Sequence, residues 1–199
     1  MMSAEEKAAI IAKYTAESIK DDAQYSPLQC AAYSADREAV SVLLGAYEQN
    51  STLAQELSYA GGKFGENILH IAIKDPVIFA NCCVALKLTK LLVNAIMQKD
   101  VDGDTVMHQV VEFGRQESLA VLTSDEEVQP LLVDAINIQN KHGESAVDLA
   151  DHFEKSATIG AMMKDGVLKA EHLVVARQNL SSIHEIFTSL AVPRSTFGC

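Results

Sequence analysis

Proline is scarce, with four residues in 199, and strictly alternating apolar–polar stretches are almost absent. Both absences argue against a strand-and-turn architecture. No apolar run approaches the ~20 residues that a membrane-spanning helix needs. The start, MMSAEEKAAIIAKY, is charged from residue 5 and never forms a signal-peptide apolar core. Basic residues are outnumbered: 16 Lys and Arg face 27 Asp and Glu, for a net charge of −11. Such a chain repels phosphate, so nucleic acid and anionic membrane surfaces are not expected as partners, and basic protein partners, or solubility alone, fit the charge better. There is no CxxC pair. The four cysteines are Cys30, Cys82, Cys83 and Cys199, and two of them are adjacent. They read as reduced thiols in a reducing, cytoplasmic setting. A Gly-rich phosphate loop is also missing.

What is present is helical. Hydrophobic residues make up 48% and charged residues 22% of the chain, which suits a globular protein with one core or one compact array. Ala8, Ile11, Ala12 and Thr15 predict a helix over roughly residues 3–20. Val40, Leu43, Leu44 and Tyr47 predict another. Leu88, Leu91, Leu92, Ala95 and Ile96 predict a third.

Four stretches repeat a pattern: YSPLQCAAY from Tyr25, ENILHIAI from Glu66, DTVMHQVV from Asp104 and ESAVDLAD from Glu144. Each places a helix-capping residue ahead of an apolar helix: Ser26, Asn67, Thr105 and Ser145. These four are 41, 38 and 40 residues apart. Downstream of each lies a second apolar segment: VSVLL, LTKLLV, LAVL and IGAMM.

This pattern resembles the ankyrin repeat, whose unit of about 33 residues opens T-P-L-H-x-A. Ser26-Pro27-Leu28-Gln29, Asn67-Ile68-Leu69-His70 and Thr105-Val106-Met107-His108 match that opening, and INIQNKHGESAVDLA matches the family's finger turn and helix start. Gly65, Gly103 and Gly143 each stand two residues before a helix start, where the family uses Gly. The resemblance implies an all-α solenoid of about four helix-turn-helix repeats, over 22–62, 63–101, 102–140 and 141–165. It also implies that His70 and His108 are structural, bonding backbone and helix start to tie repeats together. Capping helices are expected over 1–21 and 166–192, because end repeats must cover an apolar face, with a tail at 193–199. The spacing exceeds the family unit by five to eight residues. KDPVIFANCC, around Pro76, therefore reads as an insertion between paired helices, and TSDEEVQPLL as an added helical turn.

Several motifs invite a chemical reading. KDVDGDT has alternating Asp100, Asp102 and Asp104, as a calcium loop does. An EF-hand starting at Asp100 needs Gly at its sixth position and Glu at its twelfth, and finds Thr105 and Val111. A finger turn is expected instead, its acidity either a solvated tip or part of a partner-facing surface. Zinc needs three or four ligands, and Cys30, His70 and His108 would occupy separate layers. Cys82 and Cys83 have no paired acid and no oxyanion motif nearby. No metal, cofactor or catalytic residue is expected.

The resemblance implies a protein-interaction module whose fingers and inner helices form a concave binding surface. Its candidate residues are Lys63, Phe64, Glu66, Asp100, Asp102, Asp104, Lys141, His142 and Glu144 in the fingers. Tyr33, Lys74, Glu112, Phe113 and Arg115 lie deeper. Phe113 is a candidate for a binding anchor, since aromatic residues carry much of an interface's energy, or else for a buried contact. The alternatives are a targeting module of an enzyme, or a Cys-dependent enzyme using Cys82 or Cys83. Long repeats with added helices also resemble effectors that intracellular bacteria secrete into host cytoplasm.

Overall fold

A computed structural model of the chain describes residues 2–20, 24–153 and 156–164. The expected helix at 166–192, the tail and Cys199 lie outside the described residues. Among the described residues there are twelve helices and no strand, only an isolated bridge between Gly61 and Glu66. The fold is all-α. It divides into two compact parts, residues 1–106 and residues from 107 onward.

In the first part, α1 (Ala4–Lys20) packs on α2 (Pro27–Tyr33) and α3 (Arg37–Gln49), followed by α4 (Leu53–Ser58). Then come α5 (Ile68–Ala72), α6 (Pro76–Leu88) and α7 (Leu92–Met97). The short helix α2 packs on α5, and the longer α3 packs on α6. Leu28, Leu43, Leu69, Ile78, Phe79 and Leu86 fill the space between them without solvent exposure. The chain continues through α8 (Val106–Glu112), α9 (Gln116–Thr123), α10 (Gln129–Ile136), α11 (Ala146–His152) and α12 (Ser156–Lys164). In the second part α9 packs against α10 and α12, and Leu119, Leu122, Leu132, Ile136 and Ile159 are buried.

A three-helix set recurs: a short first helix, a second helix, then a short third one. The third helices are α4, α7 and α10. Each of these three sets thus carries a short additional helix after its second helix. KDPVIFANCC is no insertion between paired helices: it forms most of α6, the second helix of its set. Asp75 starts α6 by accepting the Val77 and Ile78 N–H groups, and Pro76 occupies the first turn, where no donor is needed. The predicted helix from Leu88 through Ile96 is broken in two. The Thr89 hydroxyl donates to the Ala85 and Leu86 carbonyls, Lys90 adopts φ 62°, and Leu91 N–H closes onto Leu86. This is a left-handed helix end, and Leu88 is left exposed.

The predicted stripe on α1 also differs. Ala8, Ala12 and Thr15 are exposed and Ile11 is half-buried. The anchor is Tyr14, buried, whose hydroxyl donates to Asp36 Oδ2 at 2.8 Å. Asp36 caps α3 through the Ala39 N–H. In the next set, Arg37 Nε donates to Asp75 Oδ2 at 2.8 Å, again reaching the cap of a second helix.

The first helices have five to seven residues, too few to persist alone. Their starts are bound twice. Ser26 and Gln29 form a reciprocal capping box. Gln29 Nε2 also donates to the Glu66 carbonyl at 2.9 Å, the residue before the next helix start. His70 does the same for the next set. Its Nε2 stands 3.2 Å from the Asp104 carbonyl, and its Nδ1 stands 3.3 Å from the Asn67 backbone nitrogen and 2.8 Å from Asn67 Oδ1; the tautomer with its proton on Nε2 donates to Asp104 and lets Nδ1 accept the Asn67 N–H. In the second part, His108 Nε2 meets the Glu144 carbonyl at 3.1 Å. At the fourth start Asp148 folds back on Ser145, accepting from its N–H at 2.8 Å and its hydroxyl at 2.6 Å.

Gln29 shows which chemistry His70 must supply, so His70→Gln should stay close to wild type in stability. His70→Ala takes the acceptor from the buried Asn67 N–H and one of two donors from the Asp104 carbonyl, which keeps the Asp100 N–H, and should cost roughly 1–3 kcal/mol, read by urea unfolding. Burial holds the His70 imidazole below its ordinary value of 6.5, against the Asp104 carbonyl, which pulls it up. Below that pH the unfolded chain gains a proton that the folded chain resists, and stability falls with the pH; above it the residue is neutral in both states and adds no slope. The unfolding free energy should therefore drop more steeply below that pH in wild type than in His70→Gln. Equal slopes would overturn the assignment.

Candidate functional site

The finger candidates are positioned by tight turns that consume some of their polar groups. Asp100 Oδ1 accepts the Asp102 and Asp104 N–H groups, both at 2.9 Å, and Asp100 N–H donates to the Asp104 carbonyl. Asn140 repeats this one set later: Oδ1 accepts from His142 and Glu144, and N–H donates to the Glu144 carbonyl. Gly103 and Gly143 close these turns at φ 82° and 77°, a region open to Gly at little cost. Asp100 is therefore half-buried and engaged in the turn, while Asp102 is exposed at its tip. Asp104 is half-buried, and its carbonyl holds His70. The Phe64 carbonyl accepts the Val101 N–H at 2.8 Å, joining the two successive turns.

Four candidates converge in the first part. Tyr33, Phe64, Glu66 and Lys74 line one concavity of about 540 Å³, together with Glu17 of α1, Tyr25, Cys30 and Ser34. Tyr33 is 57% exposed and Phe64 48% exposed. The Tyr25 and Tyr33 rings stack with centroids 5.9 Å apart and planes 27° from parallel. Lys74 Nζ stands 4.4 Å from the Tyr33 ring centroid, within cation–π range. The Tyr25 hydroxyl donates to Glu66 Oε2 at 2.6 Å. Lys63 is exposed, its Nζ 5.9 Å from the Phe64 ring centroid.

The other candidates lie in the second part. Phe113 is 50% exposed, which excludes a fully buried packing role, and follows half-buried Glu112 at the end of α8. Arg115 is exposed and precedes α9. Lys141 and His142 are exposed on the turn before α11, and Glu144 is half-buried. Glu144 Oε1 lies 3.7 Å from His152 Nδ1, and His152 packs its ring 5.0 Å from that of Phe153.

Tyr25 and Glu17 were not among the sequence candidates. For Tyr25 a signal existed, since it occupies the place before a helix start that Glu66, Asp104 and Glu144 occupy in later sets. Glu17 had none, because only the docking of α1 brings it beside Tyr33. A second hollow of about 540 Å³ is lined in part by Ser26, Gln55, Glu56 and Tyr59. Burial raises the proton affinity of Glu56 there, against a Ser26 hydrogen bond.

Cys82 and Cys83 are buried in α6, as is Cys30 in α2. Burial pushes the Cys82 thiol well above its ordinary value, with Cys83 adding to it. A nucleophile needs the opposite shift and an open approach. Among the described residues, no three His, Cys, Asp or Glu side chains converge to hold a metal ion, and no helix is long and apolar enough to cross a membrane.

The turn geometry separates two aspartates that look alike in sequence. Asp100→Asn should be near neutral, because Asn140 performs the same work. Asp100→Ala removes an acceptor for two N–H groups and should cost about 1 kcal/mol. Asp102→Lys should stay within about 0.5 kcal/mol of wild type. Chemical denaturation of the three variants reads the order, and a loss at Asp102 exceeding that at Asp100 would contradict the turn.

No family model and no curated protein matches the chain. It is similar to a chain in the solved complex of the Bd0816 predatory endopeptidase from Bdellovibrio bacteriovorus with immunity protein Bd3460. The identity is 18%, the overlap spans 82% of this chain and 99% of that one, and the TM-score is 0.37. At that score the likeness carries no argument.

Proposed function

We propose that this chain is a non-catalytic protein-interaction module built from ankyrin-type helix-turn-helix repeats, each elongated by a short third helix. The repeat reading is supported by capped helix starts at Ser26 and Asn67, by Gly turns before Asn67, Thr105 and Ser145, and by the side-chain links from Gln29, His70 and His108. The interaction reading rests on one observation: Tyr33, Phe64, Glu66 and Lys74, from different sets, line a single concavity of about 540 Å³ whose aromatic rings are half-exposed. Exposed aromatics in a concave setting are costly to leave in water and are typical anchors for a partner. Asp102 adds an exposed acidic tip on the turn before Thr105.

Affinity capture with the wild-type chain, a Tyr33→Ala/Phe64→Ala double variant and a Glu126→Gln control tests this reading. The control should melt with wild type, and the double variant should stay folded while losing about 0.5–1.5 kcal/mol with the Tyr25–Tyr33 stack, which thermal melting checks. A partner retained by wild type and the control but lost from the double variant is the expected result. Identical recovery by all three would remove the concavity from consideration as the binding surface.

A further inference from the structure

Resting on that interaction reading, we propose that the concavity receives a positively charged side chain of the protein partner, an arginine above all. Its walls suit a cation on two independent counts. Two half-exposed rings, Tyr33 and Phe64, supply electron-rich faces, with buried Tyr25 stacked behind Tyr33, and two carboxylates, Glu17 and Glu66, supply negative charge. The volume of about 540 Å³ accommodates a long side chain with part of its backbone.

The molecule already demonstrates the preference with a cation of its own. Lys74 lays its ammonium on the Tyr33 face at 4.4 Å. Lysine is a strongly hydrated point charge on a flexible stem, and Lys74 is exposed, so it can swing away. A guanidinium is planar and less strongly hydrated, stacks on an aromatic face, and offers a fork of N–H donors to a carboxylate. It can therefore displace Lys74 and use Tyr33 and a carboxylate at once. Lys74 then acts as an occupant that a partner's arginine must evict, which weakens binding of any cation and sharpens the choice for arginine. An anionic group would face Glu17 and Glu66. A purely apolar side chain would strip water from those carboxylates without pairing them. The net charge of −11 draws basic segments toward the surface in the first place.

Fluorescence anisotropy with four labelled nonapeptides tests the proposal: glycine alternating with arginine, lysine, citrulline or leucine. Citrulline keeps the shape of arginine and loses its charge. The arginine peptide should bind best, with citrulline about tenfold weaker. Tyr33→Leu should weaken the arginine peptide about fivefold, while Tyr33→Phe, which keeps the ring, should not. Glu17→Gln should weaken it, Lys74→Gln should strengthen it, and Glu126→Gln in the second part should leave it unchanged. Thermal melting of each variant verifies that it is folded. Equal binding of arginine and citrulline peptides, or loss of affinity in Lys74→Gln, overturns the cation site. Tightest binding of the leucine peptide, abolished by Tyr33→Leu, overturns the charge preference and leaves the interaction reading standing. Arginine-peptide binding that Tyr33→Leu and Glu17→Gln leave untouched overturns this location for both.

Discussion

In three of the four short first helices, a side-chain nitrogen three residues past the cap meets the backbone carbonyl ahead of the next helix start and ties that start down. Gln29 makes this bond to Glu66, His70 to Asp104 and His108 to Glu144. The position is demanding because the side chain must also serve its own helix. Gln29 and His70 accept from the N–H of their own cap residue while donating outward. A side chain with one acceptor and one donor on opposite sides meets both needs, and the neutral imidazole and the amide each qualify. Asp148 at the fourth start has acceptors alone when ionised, and it closes its own cap. Helices of five to seven residues cannot persist without such neighbours, so these bonds and the apolar packing around them are formed together or not at all.

The second helices α3 and α6 are anchored by a parallel arrangement of aspartate caps, whereas α9 has no side-chain cap bond. Asp36 and Asp75 cap α3 and α6, and each is also held by a donor from an element packed before it, Tyr14 for the first and Arg37 for the second. Asp36 is held below the ordinary carboxylate range by its Ala39 bond first, with the Tyr14 hydroxyl assisting. For Asp75 burial pulls the other way, and Arg37 with two backbone N–H groups overrides it. A cap that is itself gripped from outside fixes both where a helix begins and how it lies on its neighbour.

Because these links use backbone carbonyls and turn-forming side chains, they leave the outward groups free to vary. In the turn DVDGDT, Asp100 is committed to backbone while Asp102 faces solvent. At the end of α2, the ring of Tyr33 is held by Tyr25 on one side and covered by Lys74 on another. A scaffold that spends its polar groups internally and its rings externally can present a recognition surface without weakening itself.

Much of this was readable in the sequence because it is local. The capping residues, the Gly at left-handed turns and the 3.6-residue apolar spacing act within a few residues of each other, so Ser26, Asn67, Gly103 and Gly143 announce themselves. Helix boundaries between adjacent apolar runs did not. Leu88 and Leu92 share a helical spacing, yet the Thr89 hydroxyl and the left-handed Lys90 separate them into two helices. The packing face of α1 was likewise invisible, since Ala8 and Ile11 look more apolar than Tyr14, and what selects Tyr14 is a hydrogen bond to Asp36, 22 residues away. The same holds for the candidate site. The repeat resemblance named Tyr33, Phe64, Glu66 and Lys74 for one concave surface, while their meeting with Glu17 and Tyr25 depends on α1 docking beside α2. Periodicity and capping are properties of a segment, and a concavity is a property of how segments pack.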